Sequence, residues 1–208
     1  MEKVYEFTKL NPDNEEDIQA YVRFHKKLSE HLKSSTEPLT EQQIAWQIVR
    51  YKDGDEATFF CMLNGEVVGF INVCNYHVVD GKRPDDDIGL ISDIFVDQNA
   101  QASDGGHVAF KLLQLGVDEL LSNGKNRAIM VVQDDNKNKH LHFSLADKVL
   151  KTSEVERRDG RKTTQYMVLI SDLTKIKDMS FRELMKRSSL LLRAVERQGK
   201  KLVPFCDL

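Results

Sequence analysis

Apolar residues recur along the chain at two spacings, and the switches between them set out an order of elements. Lys3 to Thr8 reads as a short strand, and the N-P-D-N-E-E stretch from Asn11 leads into a helix with Ile18, Val22, His25, Leu28 and Leu32 on one face. Asp13 and Glu16 have the spacing of a capping box at its start. The S-S-T-E-P stretch ends that helix, and Thr40 with Gln43 opens a second, carrying Ile44, Ile48 and Val49. Two strand-like runs follow, A-T-F-F-C-M-L and V-V-G-F-I-N-V-C-N-Y-H-V, joined by Asn64-Gly65, the dipeptide best suited to the positive φ angles of a type I′ hairpin. Ile88 to Val96 is another strand. From Gly105 to Ser122 the helical spacing of Val108, Ala109, Leu112, Leu113, Val117, Leu120 and Leu121 predicts an amphipathic helix, stopped at Asn123-Gly124. Ala128 to Val132 reads as a buried strand, Asn136 to about Lys148 as a helix, and Thr152 to Arg158 with Thr163 to Ile170 as a hairpin over Asp159-Gly160. The order is β-α-α-β-β-β-α-β-α-β-β, closed by a helix from Ser180 to about Gln198 with Ser180 and Glu183 in capping-box spacing and Gly199 beyond its end.

Composition narrows the class. The 208 residues, 40% apolar and 30% charged, suit one globular domain with an appendage. A chain of this length buries roughly 70% of its unfolded surface, so neither disulfides nor a structural metal is required for a core. Cys61, Cys74 and Cys206 are an odd number without a C-x-x-C pair, and Cys61 and Cys74 lie inside strands as small core residues. The opening MEKVYEF lacks the basic and apolar regions of a leader, and the longest apolar runs are five residues, so the expectation is a cytoplasmic protein with no membrane contact. Asp85, Asp86 and Asp87 read as a solvated loop rather than a metal site, and no metal is expected.

The chemistry concentrates in I-S-D-I-F-V-D-Q-N-A-Q-A-S-D-G-G-H-V-A-F-K-L-L, residues 91–113. A buried strand there runs through a small-residue loop into a helix, an arrangement that lets backbone N–H groups and the positive helix end approach an anion. The alternative is a plain strand-to-helix turn, with Gly105 and Gly106 permitting it and Asp104 or Ser103 as N-cap.

Element order and this segment together resemble the GNAT superfamily of acyl-CoA-dependent N-acyltransferases, over about residues 3–171. The resemblance implies an α/β (α+β) fold with a mixed, mostly antiparallel central sheet flanked by helices. It also implies acetyl-CoA as co-substrate, held by a Q/R-x-x-G-x-G/A loop. Laid on without gaps, Gln101 takes the Q/R position, Asp104 the first glycine and Gly106 the last Gly/Ala; a one-residue shift instead places Gly105 first and His107 last. Phe95, Val96, Ala102, Ser103 and Gly105 fall in the same implied cofactor site. S-D-I-F-V resembles the E-D-I-Y-V type of fourth strand, with Ser92 in the glutamate position and Asp93 matching the aspartate, which makes these two the catalytic candidates and Asp93 the leading base. The family's downstream N-x-x-A and tyrosine correspond to Asn136, with Lys139 in place of the alanine, and to Phe143; Asn136 and Phe143 are also assigned to the cofactor side. Phe143 cannot donate a proton as the tyrosine does, and His140 and His142 are nearby substitutes. Trp46, Tyr51, Tyr76 and His77 are candidates for lining an acceptor pocket or for core packing.

The chain thus divides into residues 1–171, the acyltransferase-like domain, and 172–208, a basic amphipathic helical extension. The extension carries nine basic and five acidic side chains, a net charge of +4 that leaves −7 on residues 1–171 within the total of −3. Its apolar stripe, Phe181, Leu184, Met185, Ser188, Leu191, Leu192 and Val195, has three destinations: the protein's own core, a homodimer, or an RNA, DNA or protein partner. Two functions compete, N-acetylation of a small-molecule or protein primary amine and a catalytically impaired binding protein of the same fold acting through its partners.

Overall fold

A computed structural model describes residues 4–31, 40–75, 85–97, 105–134, 136, 139–157 and 160–187. Their elements run in chain order β1 (Tyr5–Lys9), α1 (Glu15–His31), α2 (Glu41–Lys52), β2 (Glu56–Leu63), β3 (Glu66–Cys74), β4 (Ile88–Val96), α3 (Gly105–Ser122), β5 (Arg127–Gln133), α4 (Lys139–Leu145), β6 (Lys148–Glu156), β7 (Lys162–Ile170), α5 (Thr174–Lys177) and α6 (Phe181–Arg187). The strands form one seven-stranded sheet in the order β1-β2-β3-β4-β5-β7-β6, antiparallel everywhere except between β4 and β5. The expected α/β class, with a mostly antiparallel sheet flanked by helices, is what the chain adopts.

Alternation along the strands divides the buried apolar residues between the two faces of the sheet, in three clusters, the third being Ile88, Ile129, Leu150 and Leu169. One face packs α3 against the sheet through Leu112, Leu113, Val117 and Leu120, joined by Cys61, Ile71 and Val73. None of these is more than 1% exposed, and each α3 side chain is worth roughly 1.5–3 kcal/mol by burial. On the other face α1 and α2 cover a smaller cluster of Tyr21, Phe24, Tyr51, Phe60 and Phe70. Leu173, Ile176, Met179 and Leu184 join the α3 core, and Gln114 Nε2 donates to the carbonyls of Lys177 and Met179. The start of the extension therefore docks on α3, the first of the three expected destinations; residues 188–208 lie outside the described residues.

Local signals act where they stand. Asn64 (φ 54°) and Gly65 (φ 79°) form the β2–β3 turn, Thr40 and Gln43 close a capping box, and Ser180 and Glu183 close another. The start of α1 differs: Asn14 accepts from the Glu16 N–H at 2.9 Å, while Asp13 is drawn away to an ion pair with Lys52 at 2.7 Å. The helix expected over 136–148 shortens to α4, because Lys148 already pairs with Leu169 and β6 begins there. The short α5 has no counterpart in the sequence reading; Asp172 accepts the Thr174 N–H at 3.1 Å before it. In the acidic loop, which stands in solvent as expected, Arg127 bonds Asp87 through two nitrogens and Asp85 through one, so two of the three exposed carboxylates also tie the loop to β5. Among the described residues no group of three potential ligands could hold a metal, and no helix is long and apolar enough to cross a membrane.

Candidate active site

The sheet opens at its centre. β4 pairs with β5 only from Ile88–Arg127 to Ile91–Met130, although β4 continues to Val96 and β5 to Gln133. The cause is visible on the β3 side, where Asn72 pairs with Asp93 and Val73 with Ile91, leaving Ser92 as an extra residue. Such a bulge bends its strand and sharpens its twist. Beyond it the β4 edge from Ser92 to Val96 and the β5 edge from Val131 to Gln133 are not paired with each other, and Val131 is 38% exposed.

The predicted cofactor-side residues surround this opening unevenly. Val96 lies in the α3 core and Phe95 on the opposite face, its ring 5.7 Å from Phe24. Gly105 and Gly106 open α3. A Cβ on Gly106 would come within 2.7 Å of the Phe181 ring, so contact with α6 is one reason for glycine there. His107 is exposed and packs its ring 4.4 Å from that of Phe181. Asn136 is exposed, its N–H bonded to the Gln133 carbonyl beyond the end of β5. Phe143 is buried in the α3 core with its ring 5.3 Å from Tyr166, whereas Gln101, Ala102, Ser103 and Asp104 lie outside the described residues. His142 is buried, and loss of solvent lowers its pKa to about 4, so it holds no imidazolium to give at neutral pH. The His140 side chain, Tyr76 and His77 also lie outside what is described.

On the α1 and α2 face the register sets a polar band across three strands. Asn72 is 4% exposed; its Nδ2 donates to Tyr51 Oη at 3.0 Å and Thr58 Oγ1 at 3.2 Å, and its Oδ1 accepts from Ser92 Oγ at 2.9 Å. Cys74 Sγ donates to the same oxygen at 3.6 Å. At the strand end the buried Glu56 pairs with Arg50 at 2.8 Å. Burial pushes the Glu56 carboxyl up, and the Arg50 charge opposes that rise.

Asp93 belongs to this band. Its side chain is exposed by surface area, although nearby protein still desolvates the carboxylate. Desolvation raises its carboxyl above the ordinary range, and the Glu56 charge adds to the rise. Tyr21, raised mainly by burial, feels the Asp93 charge and donates to Gln47 Oε1 at 3.1 Å. Tyr51 is thus part of the buried network, whereas Trp46 is 57% exposed with Arg50 over its ring at 4.8 Å. Asn72, Thr58 and Glu56 escaped the sequence reading; the signal was a polar residue on the inward side of an otherwise apolar strand. Cys61 and Cys74 are buried thiols raised by burial to about 11 and about 12, far from a reactive thiolate.

Comparison with known proteins adds to the geometry. The profile of the acetyltransferase (GNAT) family matches residues 15–143. An acetyltransferase of the GNAT family from Streptococcus pneumoniae superposes with a TM-score of 0.63 at 16% identity, over 80% of this chain and 98% of that one. The Salmonella typhimurium protein yncA, solved with its cofactor acetyl-CoA, gives 0.61 at 18% over 81% and 94%. A chain of the NatC complex bound to Gag peptide and CoA gives 0.59 at 15% over 82% and 98%. At these identities the likeness concerns the fold. No curated protein matches the chain at a significant level. With more than half its length matched by the family profile, the chain belongs to the acetyltransferase (GNAT) family.

Proposed function

We propose that the protein is an N-acetyltransferase that moves the acetyl group of acetyl-CoA to a primary amine by direct attack. The observation that carries this reading is the parting of β4 from β5 beside a desolvated Asp93. A slot in which the β4 edge from Ser92 to Phe95 does not pair with β5, beside an exposed Val131, fits a linear chain of alternating amide and methylene groups, such as the pantetheine arm, which can add to a strand edge. The 105–106 turn at the start of α3, with residues 101–104 before it, would receive the pyrophosphate; Phe95, Val96, Asn136 and Phe143 would flank the arm.

In the reaction the amine nitrogen forms a bond to the thioester carbonyl carbon, the carbon–sulfur bond breaks, and the thiolate leaves. The amine proton passes to Asp93, whose raised pKa makes it a stronger base than an ordinary carboxylate. An N–H on the unpaired β4 edge would polarise the carbonyl. The acceptor is a small-molecule or protein amine; capture of a peptide by the NatC relative is a property of that complex. The basic 172–208 extension is proposed as an accessory segment of this domain, open to a second copy or another partner through residues beyond α6.

The buried Phe143 favours a second reading, a fold retained for binding without turnover, because no acid stands at that position. Calorimetric titration with acetyl-CoA, followed by thioester turnover with spermidine and with a tetrapeptide bearing a free N-terminus, separates the two. Binding with turnover supports the enzyme; binding without turnover supports the second reading, and no heat at millimolar ligand overturns the first.

A further inference from the structure

A polar band such as the one around Asn72 is costly to bury unless its groups find partners. A buried amide is tolerated only when its donors and acceptors are met, and Asn72 meets them across three strands and a helix: Thr58 on β2, Tyr51 on α2, Cys74 on its own strand β3 and Ser92 on β4. Its Nδ2 is committed to the Tyr51 and Thr58 oxygens, which themselves lie 2.9 Å apart, so the amide cannot rotate freely. That leaves Oδ1 at one fixed place, where the Ser92 hydroxyl reaches it at 2.9 Å while also lying 3.3 Å from the Asn72 carbonyl. Ser92 is the residue that has no partner in the β3–β4 ladder, and Asp93, the next residue, pairs directly with Asn72. A bulge is a soft point in a ladder; here a side chain with no rotational freedom pins it.

We propose that Asn72 is a positioning residue for Asp93: by holding the Ser92 hydroxyl it fixes the bulge in β4 and so aims the carboxylate into the cleft. Ser92 acts through the same bond, as the pinned group. This rests on the reading of Asp93 as the base of the transfer. The groups that face the band are Glu56 of β2 with Arg50 of α2 behind it, Tyr21 of α1, Tyr51 of α2 and Cys74 of β3, so a displaced carboxylate meets a different field.

The first readout needs no substrate. Carboxyl carbon NMR of the full chain, with the Asp93 resonance assigned by its loss in Asp93→Asn, follows the Asp93 titration in Asn72→Ala, Ser92→Ala and Ser92→Thr. The titration midpoint is expected to fall toward the ordinary carboxylate range in Asn72→Ala and Ser92→Ala, and to hold its wild-type place in Ser92→Thr, which keeps the hydroxyl. Ser92→Ala leaves the Nδ2 bonds intact and serves if Asn72→Ala fails to fold. Kinetics with acetyl-CoA and the two acceptors named above should show kcat down by about 10-fold or more, because misplaced groups lose that much, with the acetyl-CoA KM within about twofold. In an Asp93→Asn background Asn72→Ala should add no more than about twofold, since it acts through a group already removed. An unmoved Asp93 midpoint in folded Ser92→Ala overturns the proposal, as does a full further loss in the Asp93→Asn background. If wild-type protein fails to bind acetyl-CoA, the transferase reading fails while the NMR arm still decides whether Asn72 aims Asp93.

Discussion

The two faces of the central sheet are built from the same strands and do opposite work. On the α3 face Ile71 and Val73 of β3 point into a dry core that is fully buried. On the α1 and α2 face the alternate residue, Asn72, joins a polar network with Glu56 and Asp93 nearby. A one-residue alternation therefore separates the dry apolar face from the face that holds the polar band and the proposed base, and it predicts that damage to each should show in a different measurement.

The sharpest test is Asp93→Asn. Loss of a general base costs about 10²–10⁴ in rate, so kcat should fall that far while acetyl-CoA binding, measured by calorimetry, stays near wild type. Stability should move the other way. The folded pKa of Asp93 is raised, so the ionised form is worse off in the folded chain than in the unfolded one, and its contribution to stability falls as pH rises from the unfolded value through the folded one. Removing the charge should raise the melting temperature at neutral pH; a lower one would show that the carboxylate holds the fold.

Leu112→Ala on the other face is the converse. Leu112 is fully buried, and truncating such a residue costs about 2–5 kcal/mol. Urea unfolding should register that loss, while kcat per folded molecule changes little. A variant that unfolds no more easily but loses turnover would erase the distinction between the faces.

How much of this could be read along the chain follows from how far each signal reaches. The Asn64-Gly65 turn and the Thr40 and Ser180 caps depend on backbone angles and bonds within four residues, and each stands where its sequence puts it. Helix α3 is legible for the same reason, since its periodic stripe is continuous. The start of α1 was harder: Asp13 and Glu16 have capping-box spacing, yet Asn14 accepts the Glu16 N–H while the exposed Asp13 pairs with Lys52, distant in sequence. The length of α4 was settled by pairing of Lys148 with β7, where a ladder outweighs helical propensity. The opening between β4 and β5 is not written locally at all, because it is an absence of pairing beyond Ile91 and Met130. Asp93 could be picked out by the resemblance of S-D-I-F-V to a family strand; Asn72, Thr58 and Glu56, which lie in the same polar band, could not.

Histidines on both faces give a weaker contrast, read through pH. His25 packs its ring 4.6 Å from Tyr21 and 5.4 Å from Phe70, with both nitrogens buried and unbonded, and His142 is buried beside the α3 core. Burial lowers both to about 4 from an ordinary 6.5. The unfolded chain therefore takes up protons first, so their contribution is present above the unfolded pKa and is lost as pH falls from about 6.5 toward 4, at most roughly 3 kcal/mol each. Urea unfolding across that window should show stability falling with pH, and His25→Phe and His142→Leu should each flatten the slope. Equal slopes in wild type and variants would mean that neither imidazole enters the folded chain neutral.

The smallest expected effect sits where the α3 face meets the site. Gly106→Ala removes the flexibility of a glycine in a helix, which by itself favours folding by about 1 kcal/mol. The new methyl would lie 2.7 Å from the Phe181 ring, so that ring must move, and overpacking of this kind costs about 1–3 kcal/mol. The net should be a loss of up to about 2 kcal/mol in the wild-type background, and a gain of about 1 kcal/mol when the same change is made in a Phe181→Ala background, because the clash then has no partner. Acetyl-CoA binding separates the two reasons a glycine can stand there. If the Phe181 contact is the whole reason, the double variant is at least as stable as Phe181→Ala alone and binds acetyl-CoA as tightly. If the backbone at Gly106 must also come close to a pyrophosphate, the double variant matches Phe181→Ala in stability but binds acetyl-CoA more weakly, which would tie the docking of α6 to the proposed cofactor turn through a single residue.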